Sequence, residues 1–304
     1  MPTPTPVQTG RGAAPVAARL PDATHVGGVR LQISDLTRSV AYYRDVLGLR
    51  LLDAPTADIA VLGVPESATA LVTLQAVPGT QPVRRRGAFG LFHFALLLPA
   101  RAALGRFVAH LADLDVRAGM SDHLVSEAIY LSDPDGLGIE VYADRDRDAW
   151  RYADDQLQMA TDPLDVAALV SAAHGEPWTG APAGTVMGHL HLHVGDLTTA
   201  DAFYRQQIGF DITTWSYPGA LFFSAGGYHH HLGTNTWAPG PAPTPEQAQL
   251  IEWTLVVPEA ADAHAIATRA GGSGATVTTD DHDRVLTDPW GTRVRLSVAG
   301  SGTA

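Results

Sequence analysis

One stretch of this chain is written twice. Residues 31–52 read LQISDLTRSVAYYRDVLGLRLL, and residues 192–213 read LHVGDLTTADAFYRQQIGFDIT. Laid in register they share Leu, Asp-Leu-Thr, Ala, Tyr-Arg and Gly, with Asp35 over Asp196 at an offset of 161 residues. A period this long marks a repeated supersecondary unit. In each copy an alternating strand runs into Asp35 or Asp196, whose carboxylate can accept from the free backbone N–H groups of a helix start. Val40, Tyr43 and Leu47 make the apolar stripe of the first helix, and Ala200, Phe203 and Ile208 that of the second. Gly48 and Gly209 end them.

A second repeat lies elsewhere. Asp133-Pro134-Asp135-Gly136 precedes a strand at 139–143, and Asp288-Pro289-Trp290-Gly291 precedes one at 294–298. Upstream, 92–99 and 251–258 are apolar strands ending in Pro, each followed by an Ala-rich helical stretch. The chain therefore divides into four units, at about 26–78, 90–145, 187–237 and 249–299. Each is a strand, a helix and three more strands. Such units cannot bury a sheet face alone and must pair. The expectation is an α+β fold of four βαβββ modules pairing into two domains, 25–145 and 187–299. A linker at 146–186 carries a short helix at 164–173 and a Gly- and Pro-rich loop, and 1–24 reads as a disordered lead-in.

Composition narrows the chemistry. The chain has no cysteine, which excludes disulfides, thiolate metal sites and Cys nucleophiles. A metal would be held by His and carboxylates, a donor set suited to Fe(II), Mn(II) or Zn(II). The formal charge is −12, and the only basic cluster, Arg84-Arg85-Arg86, reads as a solvated loop. Nucleic acid is not an expected partner. The longest apolar stretch, 89–99, is too short to span a bilayer, and the first 24 residues lack the apolar core of a signal peptide. The reading is a cytoplasmic protein that engages no membrane. Its composition leaves open whether it is a homo-oligomer.

Four places concentrate His and carboxylate. His93 sits within the apolar strand Leu91-Phe92-His93-Phe94-Ala95, where a His is more often a hydrogen-bonded core residue than a ligand. Glu140 sits between Ile139 and Val141, costly to bury unless paired or bound to a cation, and otherwise on an exposed strand face. His189, His191 and His193 alternate with leucine, so they share one face of a strand. In Tyr228-His229-His230-His231, alternation turns His230 away from its neighbours, and a solvated His cluster is the plainer reading. The combination says more than each part. His93 and His189 open units two and three, and Glu140 lies on the last strand of unit two. Two His and one carboxylate make the facial triad suited to Fe(II) enzymes that bind substrate and O2 together.

At these residues the chain resembles a known family. The stretch DHLVSEAIYLSDPDGLGIE, residues 122–140, is similar to the extradiol dioxygenase signature, in which a His precedes a Tyr, then Asp-Pro-x-Gly, then a metal-binding Glu. Ser121 departs from it, standing where Gly is usual. From His25 onward the chain resembles the bacterial catechol-2,3-dioxygenase group of the vicinal oxygen chelate superfamily, most closely at 130–143, 188–197 and 224–237. The resemblance implies His93, Glu140 and His189 as metal ligands and His230 as acid–base catalyst. It implies that His123 and Tyr130 hydrogen-bond the oxygens gathered at the metal. It implies Fe(II), with Mn(II) able to substitute. The substrates would be a catechol-type aromatic diol and O2, and the product a ring-opened semialdehyde. The alternatives on the same fold are a glyoxalase- or epimerase-like metalloenzyme and a metal-independent aromatic- or drug-binding protein.

One departure redraws the site. In the best-known two-domain relatives the whole site lies in units three and four. Here the alignment puts Gly28, Glu252 and Arg295 where His189, His93 and Glu140 stand. Arg cannot ligate a cation, so a live site has to form where units two and three meet, and Glu252 and Arg295 are expected to form an ion pair between units one and four.

Overall fold

The computed structural model describes residues 12–83, 87–238, 240–280 and 283–300; the run Arg84-Arg85-Arg86 lies outside them. Two eight-stranded sheets carry the fold, and each is built from two modules. In every module the first strand pairs in parallel with the last: His25–Ile33 with Ala70–Ala76, Gly90–Leu97 with Gly138–Asp144, Val186–His193 with Leu232–Asn235, and Gln249–Val257 with Arg293–Val298. A parallel pair needs a long crossover, and the helix with its two following strands supplies it. The helices start as the sequence expects: Asp35 accepts from Arg38 N–H and Asp196 from Thr199 N–H, both with the capping residue in extended backbone.

The modules do not combine in chain order. His25–Ile33 runs antiparallel to Gln249–Val257, joining module one to module four. Gly90–Leu97 runs antiparallel to Val186–His193, joining module two to module three. The spans 25–145 and 187–299 each give one module to each sheet, so the sheets cut across the two sequence halves. The pattern of burial explains why the join works. Phe94, Ala95 and Leu96 are 0%, 0% and 2% exposed, because the Gly90–Leu97 strand has its helix, Arg101–Asp113, on one side and the cavity described below on the other. From Phe94 to Leu96 the strand has no face to give to water.

One further expectation requires correction. The lead-in is not disordered from residue 12 on: Ala13 bridges Ile212, Leu20 N–H donates to the Gly209 carbonyl, and Arg19 pairs with Asp211. Ala13 and Leu20 are buried, which gives the segment apolar anchors on module three. The linker has its expected short helix and further contacts besides. Its short helix runs Val166–Ser171, Trp150 and Leu157 pack with Val125 and Tyr228, and Asp162 bridges Asp122. Among the described residues no helix is long and apolar enough to cross a membrane.

Candidate metal centre

The sheet register brings three side chains to one point. Ala95 faces His189 on one neighbouring strand and Glu140 on the other, and His93 sits two residues before it on the same face. The small Ala95 side chain leaves room for its neighbours to lean inward. Two glycines let the strands close up: a Cβ on Gly188 would run into the Tyr142 hydroxyl, and one on Gly138 into the Phe92 carbonyl.

His93 Nε2 lies 3.0 Å and His189 Nε2 3.2 Å from the same oxygen, Glu140 Oε2. The three ligand atoms lie within 4.8 Å of one another, and all three residues are buried. Several of their polar atoms have no hydrogen-bond partner: both nitrogens of His93, Nδ1 of His189 and Oε1 of Glu140. His93 Nε2 is near enough to Glu140 but not aligned to donate to it. Native interiors leave few such atoms unsatisfied. Several around one point fit a cation that would take their lone pairs.

The electrostatics agree. Burial pushes the Glu140 carboxyl up, but His189 and His93 outweigh it and hold the group well below the usual carboxylate range. Burial carries His189 down to about 4 against the opposing pull of Glu140. Near neutral pH the set is therefore a carboxylate with neutral imidazole beside it, the form in which these groups ligate.

The set lies on a cavity of about 230 Å³. Phe92, Tyr217, Phe222 and Trp237 line it with aromatic rings, and Met159, Ala160 and Thr161 of the linker line it too, Thr161 Oγ1 bonded to the Tyr217 hydroxyl at 2.7 Å. Sequence reading missed all of these as cavity residues; in the structure Phe92 and Trp237 stand out as large apolar groups 37% and 46% exposed. His123 and Tyr130 also line the cavity and are bonded to each other. His123 Nδ1 donates to the Ala160 carbonyl at 2.6 Å, so its Nε2 is an acceptor and the Tyr130 hydroxyl donates to it. Burial, with the charge of Glu140, pushes the Tyr130 phenol well above its usual value, so it keeps its proton.

The histidine-rich segments divide. His189 and His191 face the cavity; His193 keeps register with Asn235 two residues further along, beside the Phe92 ring at 4.8 Å between centroids, and is bonded through Nδ1 to Asn235 Oδ1 at 2.6 Å. His193 lines a larger cleft of about 860 Å³ instead. That cleft reaches His93 and Tyr130 but neither Glu140 nor His189, so the smaller cavity is the one the ligand set addresses. The tract at 229–231 is a loop rather than an alternating strand, and all three residues are buried. His230 lines the cavity, its ring centroid 4.1 Å from that of His189.

The other sheet repeats the register with different side chains. Thr254 faces Arg295 as Ala95 faces Glu140, and Glu252 stands two residues before it as His93 does. Arg295 Nε donates to Glu252 Oε1 at 2.6 Å, Arg293 Nη2 lies 3.2 Å from Glu252 Oε2, and Arg295 also reaches Asp280 and Asp283. The ion pair expected from the repeat is present, and it lies within module four, between its first and last strands rather than between modules one and four. Among the described residues, the group of His93, Glu140 and His189 is the one arranged to hold a metal.

A family model described as the glyoxalase/bleomycin resistance protein/dioxygenase superfamily matches residues 24–141 and 186–296. A catechol-2,3-dioxygenase of Bacillus subtilis (strain 168) is 40% identical over 271 residues, which cover 88% of this chain and 94% of that protein. Among solved structures, one from Bacillus subtilis subsp. subtilis strain 168 superposes with a TM-score of 0.66 at 12% identity, covering 94% of this chain and 87% of the other. Glyoxalase I from Zea mays gives a TM-score of 0.54 at 17% identity, covering 90% and 92%. At such identities the two structures speak for the fold alone.

Proposed function

Because this chain belongs to the glyoxalase/bleomycin resistance protein/dioxygenase superfamily, we propose that it is an extradiol dioxygenase. Its substrates are a single-ring catechol-type diol and O2, and its product is a ring-opened semialdehyde that retains both atoms of O2. The observation that carries the reading is the convergence of His93, Glu140 and His189, with unsatisfied polar atoms, on the floor of an aromatic-walled cavity. Fe(II) held there, or Mn(II) in its place, would supply a positive charge to gather the diol and a redox couple to activate O2.

The chain's own residues do the rest. Phe92, Phe222 and Trp237 bind the ring and keep water away. His230 takes a proton from a diol hydroxyl. Burial, together with His189 and His229, holds its imidazole well below its usual value, so it arrives neutral and able to accept. The Tyr130 phenol, paired with His123, keeps its proton and can turn to donate to an oxygen in the cavity.

The test is to load the protein anaerobically with Fe(II), then add catechol and O2. Yellow ring-opened product and uptake of one O2 per diol are expected. No O2 uptake with either Fe(II) or Mn(II) would sink the proposal, and O2-independent isomerisation of a hemithioacetal would move the chain to the glyoxalase branch.

A further inference from the structure

His230 does not stand alone. Its Nδ1 lies 2.7 Å from Nδ1 of His229, and Nε2 of His229 lies 2.9 Å from Asp144 Oδ1. His229 is fully buried. Asp144 is held in turn: the Tyr228 hydroxyl donates to it at 3.2 Å, and the Tyr142 hydroxyl donates to Tyr228 at 2.6 Å. Burial pushes both phenols well above their usual values, so they remain donors.

This chain of contacts fixes the protons. A carboxylate only accepts, so Asp144 keeps the proton of His229 on Nε2. Carrying that one ring proton, His229 presents a bare Nδ1 to His230. The proton between the two Nδ1 atoms has to come from His230. His230 is therefore protonated on Nδ1, and the nitrogen left for the cavity, Nε2, carries a lone pair. With the opposite tautomer the same residue would offer a donor and could not accept from a diol.

We infer that His229 and Asp144 are positioning residues that set the tautomer of His230, so that its cavity-facing nitrogen is a proton acceptor. The inference rests on the reading of His230 as the acid–base group. A purely structural role does not account for the chain: filling this space with apolar side chains avoids the desolvation cost of buried polar groups.

Asp144→Asn is the discriminating variant. Its amide can donate to His229 Nε2, which moves the His229 proton to Nδ1, reverses the bond to His230 and leaves Nε2 of His230 protonated. We expect kcat for diol cleavage to fall roughly 10²–10⁴-fold, with KM and metal content near wild type. Nitrogen NMR of histidine-labelled, Zn(II)-loaded full-length protein should show His230, identified by its loss in His230→Phe, changing from the Nδ1–H to the Nε2–H form. Asp144→Glu should restore both rate and signal. If Asp144→Asn does not fold, His229→Phe replaces it; without its acceptor, His230 should show mixed tautomers and a lower kcat. Wild-type kcat in Asp144→Asn, or an unchanged His230 tautomer, overturns the inference. So does a loss confined to KM or to metal content. Full activity in His230→Phe would overturn the functional reading beneath it, and the NMR result separates the two failures because it needs no turnover.

Discussion

Removing Arg295 should cost more stability than removing Arg295 and its partner together. Arg295 Nε donates to Glu252 Oε1 at 2.6 Å, and the two side chains are 15% and 9% exposed. Breaking a fully buried ion pair from one side costs about 3–5 kcal/mol, because the remaining charge is stranded. Here the cost is lower. Arg293, 41% exposed, stays 3.2 Å from the other oxygen of Glu252, and the pair is not wholly dry. Arg295→Met should therefore lose about 2–3 kcal/mol. Glu252→Gln alone leaves Arg295 with Asp280 and Asp283, so its loss should be about 1 kcal/mol. The double variant strands neither member of the pair and should lose about 1–2 kcal/mol, giving a coupling of about 1–3 kcal/mol. Thermal unfolding followed by circular dichroism reads this directly, at roughly 2–4 °C per kcal/mol. The double variant should melt above Arg295→Met and below wild type. If it melts at or below Arg295→Met, the loss is one of packing and the stranded-charge argument fails.

The other expectations can be stated together. Glu140→Ala should lower metal affinity by more than about 100-fold, the upper range for losing a merely supporting residue, and metal analysis of wild type should approach a single cation per chain; a well-occupied second cation at Glu252 would contradict the arginine-filled site. His230→Phe should keep its metal and lose roughly 10²–10⁴-fold in kcat, and joint loss of metal would make it a ligand instead. Gly188→Ala should cost about 1–3 kcal/mol, because the added Cβ meets the Tyr142 hydroxyl beside His189, and an unchanged melting temperature would show that the strands can part there. Burial raises the carboxyl of Asp133 from 3.8 to about 6 against the hydrogen bonds of Leu137, Asp135 and Tyr43. A raised folded value means stability present below the unfolded value and lost as pH climbs through the folded one, about 3 kcal/mol between pH 4 and 6. The stability of wild type relative to Asp133→Asn should fall across that window, and a flat difference would place the ionised group in a better-solvated site.

How much of this was legible follows from what a repeat can and cannot encode. The offset between Asp35 and Asp196 carries register between units one and three, and set Gly28 against His189; the second repeat, Asp133 over Asp288, set Glu252 and Arg295 against His93 and Glu140, whose pairing the other sheet shows. Alternation carried the shared face of His189, His191 and His193 but not the extra residue, Phe92, on the neighbouring strand, because a bulge is a property of two strands together. Met159, Ala160 and Thr161 were invisible for a similar reason. Their place on the cavity depends on the bridge between Asp162 and Asp122 and the bond from His123 to Ala160, contacts that leave no periodic mark in the linker. The lead-in was misread because its anchors, Ala13 and Leu20, are single apolar residues in a Pro- and Ala-rich segment whose partners lie about 190 residues away.

The nesting of the modules, one with four around two with three, also sets an order of assembly. Once Asn235 has been synthesised, every strand of the sheet that bears the ligand set exists. His25–Ile33 has by then paired on one side with Ala70–Ala76, but its other edge waits for Gln249–Val257. At about 5–20 residues per second, that edge stays open for roughly ten to forty seconds of synthesis. Unpaired edges invite pairing with other chains. A chain stopped at Trp237 would hold a complete ligand set and an open edge, so loss of its last module should appear as aggregation before it appears as loss of chemistry.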